Sequence, residues 1–539
     1  MNRRDLLKAL GLMGASLTVP QMMGRNALAG ISQRDLMNAR AIVDAEIDWV
    51  QPATLPTVIN IFMYGGPSEL AGNLTNIDQI NTDSQNKYTG VRGDILQPFD
   101  SAMNTGQITT RGMWADAGGL IMEDLLTAGQ MSLYRTINRV VDDNKAHRES
   151  IFSAQTGGVA TMESPGMGTT LAAILRVKMP GMFNSSGSEP ILPFVSFEGD
   201  SVLYNQGNIS DLPLWLRSVS LDNGFANPYQ RKKFSAIAAA GSTTTRNCVI
   251  DNVLRDCNEA LETLSRSNAV APKFERLAKA FTKRKDLDDY FSNPTTGLSN
   301  PAAKMPVADI DGVPFDTQAF VTGSGIAQGI RTFTNDSFGN TLRAAIVLAL
   351  ENPDKSTTAA GTHFITLSTG GLGGWDDHDN SIAKYEQRVT GMLSNLRTAV
   401  RLLRTGTANA GVLRNNPRND VIINVYGEFG RNVNLNGSMG WDHGNNMNLY
   451  TFGGSGVANR ALGKVVGTTQ VIGTPGQNRL FTSPVEGSPQ WEPFSIAATV
   501  YRYFGVQNPE TLTKDSTIKG AESGFGAIDG FPGAIPLSS

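Results

Sequence analysis

The sequence predicts an α/β fold on a mainly parallel central sheet, and three observations predict it. Two near-continuous apolar runs, Thr57 to Tyr64 and Val421 to Tyr426, read as strands buried on both faces. Strand-like and helix-like segments alternate on either side of a middle region of different texture. The strands run into Gly-rich loops carrying carboxylates and imidazoles, which is how an open α/β sheet builds a site at its strand tips.

The chain opens with Arg3-Arg4-Asp5-Leu6-Leu7-Lys8, an apolar run from Ala9 to Pro20, and a small-residue Ala27-Leu28-Ala29. This is the form of a twin-arginine export signal over residues 1–29, with the export machinery as partner and a periplasmic or secreted destination. About a dozen apolar residues fall short of the ~20 that span a bilayer, so no transmembrane segment is expected in the mature chain. Removal of the signal takes away Arg3, Arg4, Lys8 and Arg25 against Asp5, moving the net charge from −3 to −6. That balance excludes a basic face for nucleic acid in bulk. Cys248 and Cys257 are the only cysteines. They fall on one predicted helix, ~13 Å apart along its axis, and are expected to be free thiols.

Residues 30–539 read as one domain with a helical insertion at about 208–330. In order, a lead-in helix is expected over Gln33–Val50, then the Thr57 strand and its turn Gly65-Gly66-Pro67-Ser68-Glu69. A long polar loop should occupy Asn73–Gln107, followed by a helix over Gly119–Ala128 and a strand over Met131–Ile137. Helices follow at Lys145–Ala154, stopped by Gly157-Gly158, and at Thr169–Val177, then a short strand at Pro193–Phe197. Beyond the insertion come a helix at Phe338–Leu350, a strand at Phe364–Leu367, a long helix at Ser381–Arg404 and the Val421 strand. An exposed strand or hairpin over Leu462–Ile472, a closing helix over Phe494–Phe504 and a polar tail from Pro509 complete the chain.

The chemistry concentrates on two loops. One offers Trp375-Asp376-Asp377-His378 after the Phe364 strand. The other offers Glu428, Arg431, Asp442 and His443 after the Val421 strand. Carboxylates beside neutral imidazoles make an oxygen/nitrogen set for a divalent metal ion: Zn, Mn or Fe, or Mg or Ca where carboxylates dominate. The competing reading is loop capping by Asp and Asn. Arg431 is suited either to an anionic group or to a pair with Glu428. Of the four histidines, His363 starts a strand far from its tip and reads as structural or surface. Ser68 stands at a strand tip with no recognisable relay. Trp375 and Trp441 either wall the pocket or pack loops on the core.

Five motifs in order, RRDLLKALG, FMYGGPSE, GWDDHDN, YGEFGRN and GSMGWDHGNN, resemble the uncharacterised twin-arginine-exported bacterial family called domain of unknown function 1501. That family is related to the alkaline phosphatase and sulfatase superfamily. The likeness covers most of residues 1–210 and 330–510. It implies a three-layer α/β/α, alkaline-phosphatase-like fold with a metal site at the carboxyl ends of the strands. Carried over residue by residue, Asp376, His378 and His443 match one metal position and Glu428 a second, with Phe429 where the superfamily has a histidine. The first strand lacks the usual Asp, and only Glu69 is placed to replace it. The superfamily's nucleophilic Ser or Thr opens a helix ending in Thr-Gly, and ten residues before Gly157 stands His147, as nucleophile, ligand or general acid/base. The implied activity is metal-dependent hydrolysis of a small anionic phosphate or sulfate ester, with His147 and Arg431 catalytic. The lost Asp and hydroxyl support the alternative of a catalytically degenerate exported binding or assembly protein.

Overall fold

The computed structural model describes residues 47–528, apart from 53–54, 95–111, 159–163, 180–190, 208, 210–211, 213–215, nearly all of 224–332, 352–360, 405–419, 455–461, 475–478, 515–518 and 521. The expected signal segment, most of the expected lead-in helix, nearly all of the expected helical insertion and Cys248 lie outside the described residues; Cys257 is free.

The eight-stranded sheet contains β1 (Thr57–Met63), β2 (Met131–Asn138), β3 (Phe194–Ser196), β4 (Val219–Ser220), β5 (Phe364–Ser368), β6 (Val421–Gly427), β7 (Asn446–Gly453) and β8 (Val465–Val466). They lie side by side in the order β8-β2-β7-β6-β1-β5-β3-β4. All neighbours pair in parallel except β7, which is antiparallel to both β6 and β2. The helices are α1 (Gly119–Thr127), α2 (His147–Thr156), α3 (Met167–Lys178), α4 (Ser337–Glu351), α5 (Ser381–Leu403) and α6 (Phe494–Tyr503).

Alternation along the strands sends side chains into two separate apolar cores. Ile59, Ile61, Ile423 and Val425 pack with residues of α1, α4 and α5. Val58, Phe62, Ile422 and Tyr426 pack with residues of α3 and α6. Helices therefore cover both faces of the sheet, and charged side chains are pushed to the strand ends. The structure is a mixed α/β fold on a large, mainly parallel sheet.

Register places the site. Phe62 pairs with Ser368 on one side and Tyr426 on the other, and Met63 pairs with Gly427. The carboxyl ends of β5, β1 and β6 thus lie abreast, and the loops leaving them must meet. β2 runs parallel to β6, so its end delivers α2 to the same rim, while β7 begins there because it runs the other way.

Four segments depart from the sequence reading. β7 has no counterpart there, since no element is assigned between the His443 loop and Leu462. The Asn73–Gln107 stretch contains a helix at Ile77–Asp83 and a short 3-10 turn at Leu74–Asn76. In the expected hairpin, β8 joins the main sheet, and Thr469–Ile472 pairs instead with Phe481–Pro484. Residues 47–50 are not helical, and Trp49 bridges to Val506. No helix among the described residues is long and apolar enough to cross a membrane.

Candidate functional site

The N-terminus of α2 brings His147 to the strand tips. Gly157 ends that helix in the left-handed conformation at φ 70°. His147 Nδ1 lies 2.5 Å from Glu428 Oε1, whose side chain is fully buried. The same oxygen accepts the Gly65 N–H at 3.0 Å. On its far side the imidazole turns Nε2 toward Asp376 Oδ1 at 3.5 Å.

His443 is held in a comparable way. Its Nδ1 is 2.9 Å from the Lys145 carbonyl and must donate to it, so Nε2 carries the lone pair. That Nε2 is buried, makes no hydrogen bond, and lies 3.9 Å from Asp376 Oδ1. One atom each from His147, Asp376 and His443 falls within 4.8 Å of the other two. Two imidazoles oriented by other groups, meeting one carboxylate, form a donor set that could hold a metal ion.

Arg431 sits beneath this group. Nε donates to Gly66 O at 2.6 Å and Nη1 to Trp441 O at 2.9 Å. Nη2 donates to Asp376 Oδ1 at 2.6 Å, to Trp375 O at 3.2 Å and to Gly65 O. The guanidinium is fully buried and reaches neither an incoming anion nor Glu428. It ties three loops together and fixes Asp376. Gly65, at φ 113°, makes the close approach: a Cβ there would sit 2.4 Å from the Asp376 nitrogen. Gly440 does the same for the two site loops, since its Cβ would meet the His378 carbonyl carbon at 2.1 Å.

His378 stands on the outer side of Asp376, with Nε2 3.0 Å from Oδ1 and Nδ1 3.4 Å from Asp442 Oδ1. Both partners are about half exposed, so this pair forms the wet edge of the site. A cavity of about 440 Å³ opens beyond Asp376, bordered by Gly373, Gly374, Asp379, Lys384 and Arg388.

The electrostatics follow from these neighbours. Burial acts to raise the Asp376 carboxyl, but the Arg431 hydrogen bond and charge, with the imidazoles, outweigh it and hold it below the usual carboxylate range. Burial raises Glu428 against the lowering effect of His147. Burial, aided by the Arg431 charge, pushes His443 down to about 4, which keeps it neutral.

The structure therefore brings together His147, Asp376, His378, Glu428, Asp442 and His443, with a changed arrangement inside the group. Glu428 lies behind His147 as its hydrogen-bond partner. Phe429, 4.4 Å from the His443 ring and 5.0 Å from His147, fills the space beside Glu428 with an apolar face. Glu69 does not join the cluster: it is buried against Thr482 and the Asn448 amide. Ser68 is buried, its hydroxyl accepting from Leu70 N at 3.3 Å. Trp375 and Trp441 are both buried and pack the loops on the core. His363 is buried between Phe194 and Phe504.

One residue of the site escaped the sequence reading. Arg139, directly after β2, donates to Glu428 O at 2.7 Å and to Ser150 O at 3.0 Å, and pairs with Asp142 at 2.5 Å. It locks α2 against the tip of β6. A lone arginine closing an apolar strand was the available signal.

Residues 354–482, about a quarter of the chain, match a family model described as "Protein of unknown function (DUF1501)". The match supports the DUF1501 family. The DUF1501 segment contains β5, α5, β6 and both site loops, so it carries Asp376, His378, Glu428, Arg431, Asp442 and His443, while His147 lies outside it. No curated protein matches the chain.

Proposed function

We propose that this chain is a metal-dependent hydrolase of phosphate or sulfate esters, holding one divalent ion on His147 Nε2, Asp376 and His443 Nε2. The observation that carries the reading is that one ligand atom from each of those three residues lies within 4.8 Å of the others, while each histidine is fixed through its Nδ1. Two imidazoles with one carboxylate favour Zn or Mn over Mg or Ca, which prefer oxygen alone. When bound, such an ion polarises an ester oxygen and lowers the pKa of a water.

The chain's own groups divide the remaining work. Glu428 orients His147 and the Lys145 carbonyl orients His443. Arg431 holds Asp376 in place; with every donor committed inside the protein, it is a positioning residue and leaves the anion to other groups. His378, half in solvent and backed by Asp442, is the group suited to move a proton at the rim. Lys145 brings a flexible ammonium to the same edge, paired at 2.5 Å with Asp143.

Three further parts of the reading are proposals on the same footing. The two-faced sheet with its site at the strand tips supports an alkaline-phosphatase-like three-layer fold. The Arg3-Arg4 motif supports twin-arginine export and a periplasmic or secreted location. A second reading, an exported binding or assembly protein without catalysis, is favoured by the burial of Ser68 and the full commitment of Arg431.

The test is to assay aryl phosphates and aryl sulfates with added divalent ions, using Asp376→Asn and His147→Ala as controls. Metal-dependent turnover lost in both variants supports the hydrolase. Metal binding without turnover supports the second reading, and absence of both removes the first.

A further inference from the structure

The cavity beyond Asp376 shares that carboxylate with the histidine cluster. A group held on the cluster therefore borders the cavity. Its volume of about 440 Å³ is more than a phosphoryl or sulfuryl group fills, and falls within the roughly 300–1,000 Å³ of small-molecule sites.

One wall is a face of α5, where Lys384, Gln387 and Arg388 stand at i, i+3 and i+4. Arg388 is only 7 % exposed. Its Nε donates to Lys384 O at 3.0 Å and its Nη2 donates to Asp377. Its guanidinium carbon lies 5.2 Å from the centre of the Trp375 ring. Nη1 has no hydrogen bond to any described residue. A guanidinium fixed on two nitrogens and free on the third is a positioned donor. Beside it the border is main chain. A Cβ on Gly373 would stand 3.5 Å from Arg388 Cδ, and one on Gly374 would meet nothing within 4 Å.

Charge and donor type select the ligand. Arg388 pairs with Asp377, and Lys384 stands 3.8 Å from Asp379. With each cation beside an acid, the cavity offers no net pull on a charged group. Leu372 is the one apolar side chain on its border among the described residues, and Arg388 covers the Trp375 ring. An aryl group thus finds no face to stack on. Donors on Arg388 and Lys384 stand beside acceptors on Asp376 and Asp379, and Gln387 supplies both kinds. A group carrying adjacent hydroxyls, each donor and acceptor at once, satisfies such a set. We propose that this cavity receives the alcohol portion of the substrate, and that this portion is a neutral polyhydroxylated group of sugar size. Arg388, Lys384 and Gln387 are then the specificity-determining residues.

The inference rests on the hydrolase reading for the ester group, and its test separates the two. Calorimetry of the full chain with added zinc compares a hexose 6-phosphate and 6-sulfate with phenyl phosphate and phenyl sulfate. The hexose esters should bind at least ~10-fold more tightly, the order of magnitude for one hydrogen bond to a charged group. Gly374→Val, which puts a side chain into the open space, should remove that preference while zinc affinity stays that of the parent. If that chain does not fold, Gln387→Leu, at an exposed helix position, should weaken the hexose esters and spare the phenyl esters. Hexose esters bound no better than phenyl esters, no binding of either, or a preference that survives the substitutions overturns the subsite. Preferential binding of hexose esters that are never hydrolysed leaves the subsite standing and removes the hydrolase reading.

Discussion

His147 Nδ1 lies 2.5 Å from Glu428 Oε1, joining the first residue of a helix to the tip of the central strand. The contact leaves one imidazole nitrogen for the site and turns the carboxylate into a support. Glu428→Gln should therefore keep the fold and weaken divalent-ion affinity by about 10–100-fold, the usual cost of losing an outer-shell partner. His147→Ala should remove binding altogether. Calorimetric titration of Zn and Mn into both variants checks this; equal losses would make Glu428 a ligand itself.

Arg431 makes the same argument through stability. Its buried guanidinium serves Gly65, Gly66, Trp375, Trp441 and Asp376 at once. Arg431→Met should cost a few kcal/mol, at ~1–3 kcal/mol for each buried carbonyl left without its donor, while solvent screens the half-exposed Asp376 carboxylate. Denaturant unfolding reads the loss, and a variant as stable as the parent would show the tie to be unimportant.

His363 gives the acid dependence. Burial pushes it down to about 4 from its ordinary 6.5. Between those values the unfolded chain binds a proton that the folded chain refuses, so stability is present above pH 6.5 and falls as pH drops toward 4. The loss is about 3 kcal/mol across that window. His363→Phe, an aromatic substitution among Phe194 and Phe504, should flatten that part of the curve. Unfolding free energy measured from pH 7 to pH 4 decides; parallel curves for parent and variant would contradict it.

Gly440→Ala tests the joining of the two site loops. Trp441 N donates to Asp377 O at 2.7 Å and Ser381 N to Met439 O at 3.0 Å, so the loops run together with no room for a Cβ. The substitution should lower divalent-ion affinity at least tenfold, an order-of-magnitude expectation for a displaced support, while leaving the strands intact by circular dichroism.

These residues show which parts of the molecule were legible. The central strands could be read because each is a continuous apolar run. Asp376, His378 and His443 could be read because strand tips in an open sheet face one another. β7 could not: its run Asn446-Met447-Asn448-Leu449 places buried asparagines where a strand should show apolar residues, directly after an Asn/Gly loop. Glu428 was placed correctly in space, but its role depends on which imidazole nitrogen α2 presents. That orientation comes from packing around Arg139. The hold on His443 comes from the Lys145 main-chain carbonyl, which no side-chain pattern records.

The divalent-ion content of the purified full chain, measured by mass spectrometry of the elements after exposure to Zn and Mn, bears most directly on the account. It predicts about one ion per chain, the stoichiometry of a single three-residue site, lost in both His147→Ala and His443→Ala while their circular dichroism is unchanged. An ion-free parent chain, or equal content in all three proteins, would contradict it.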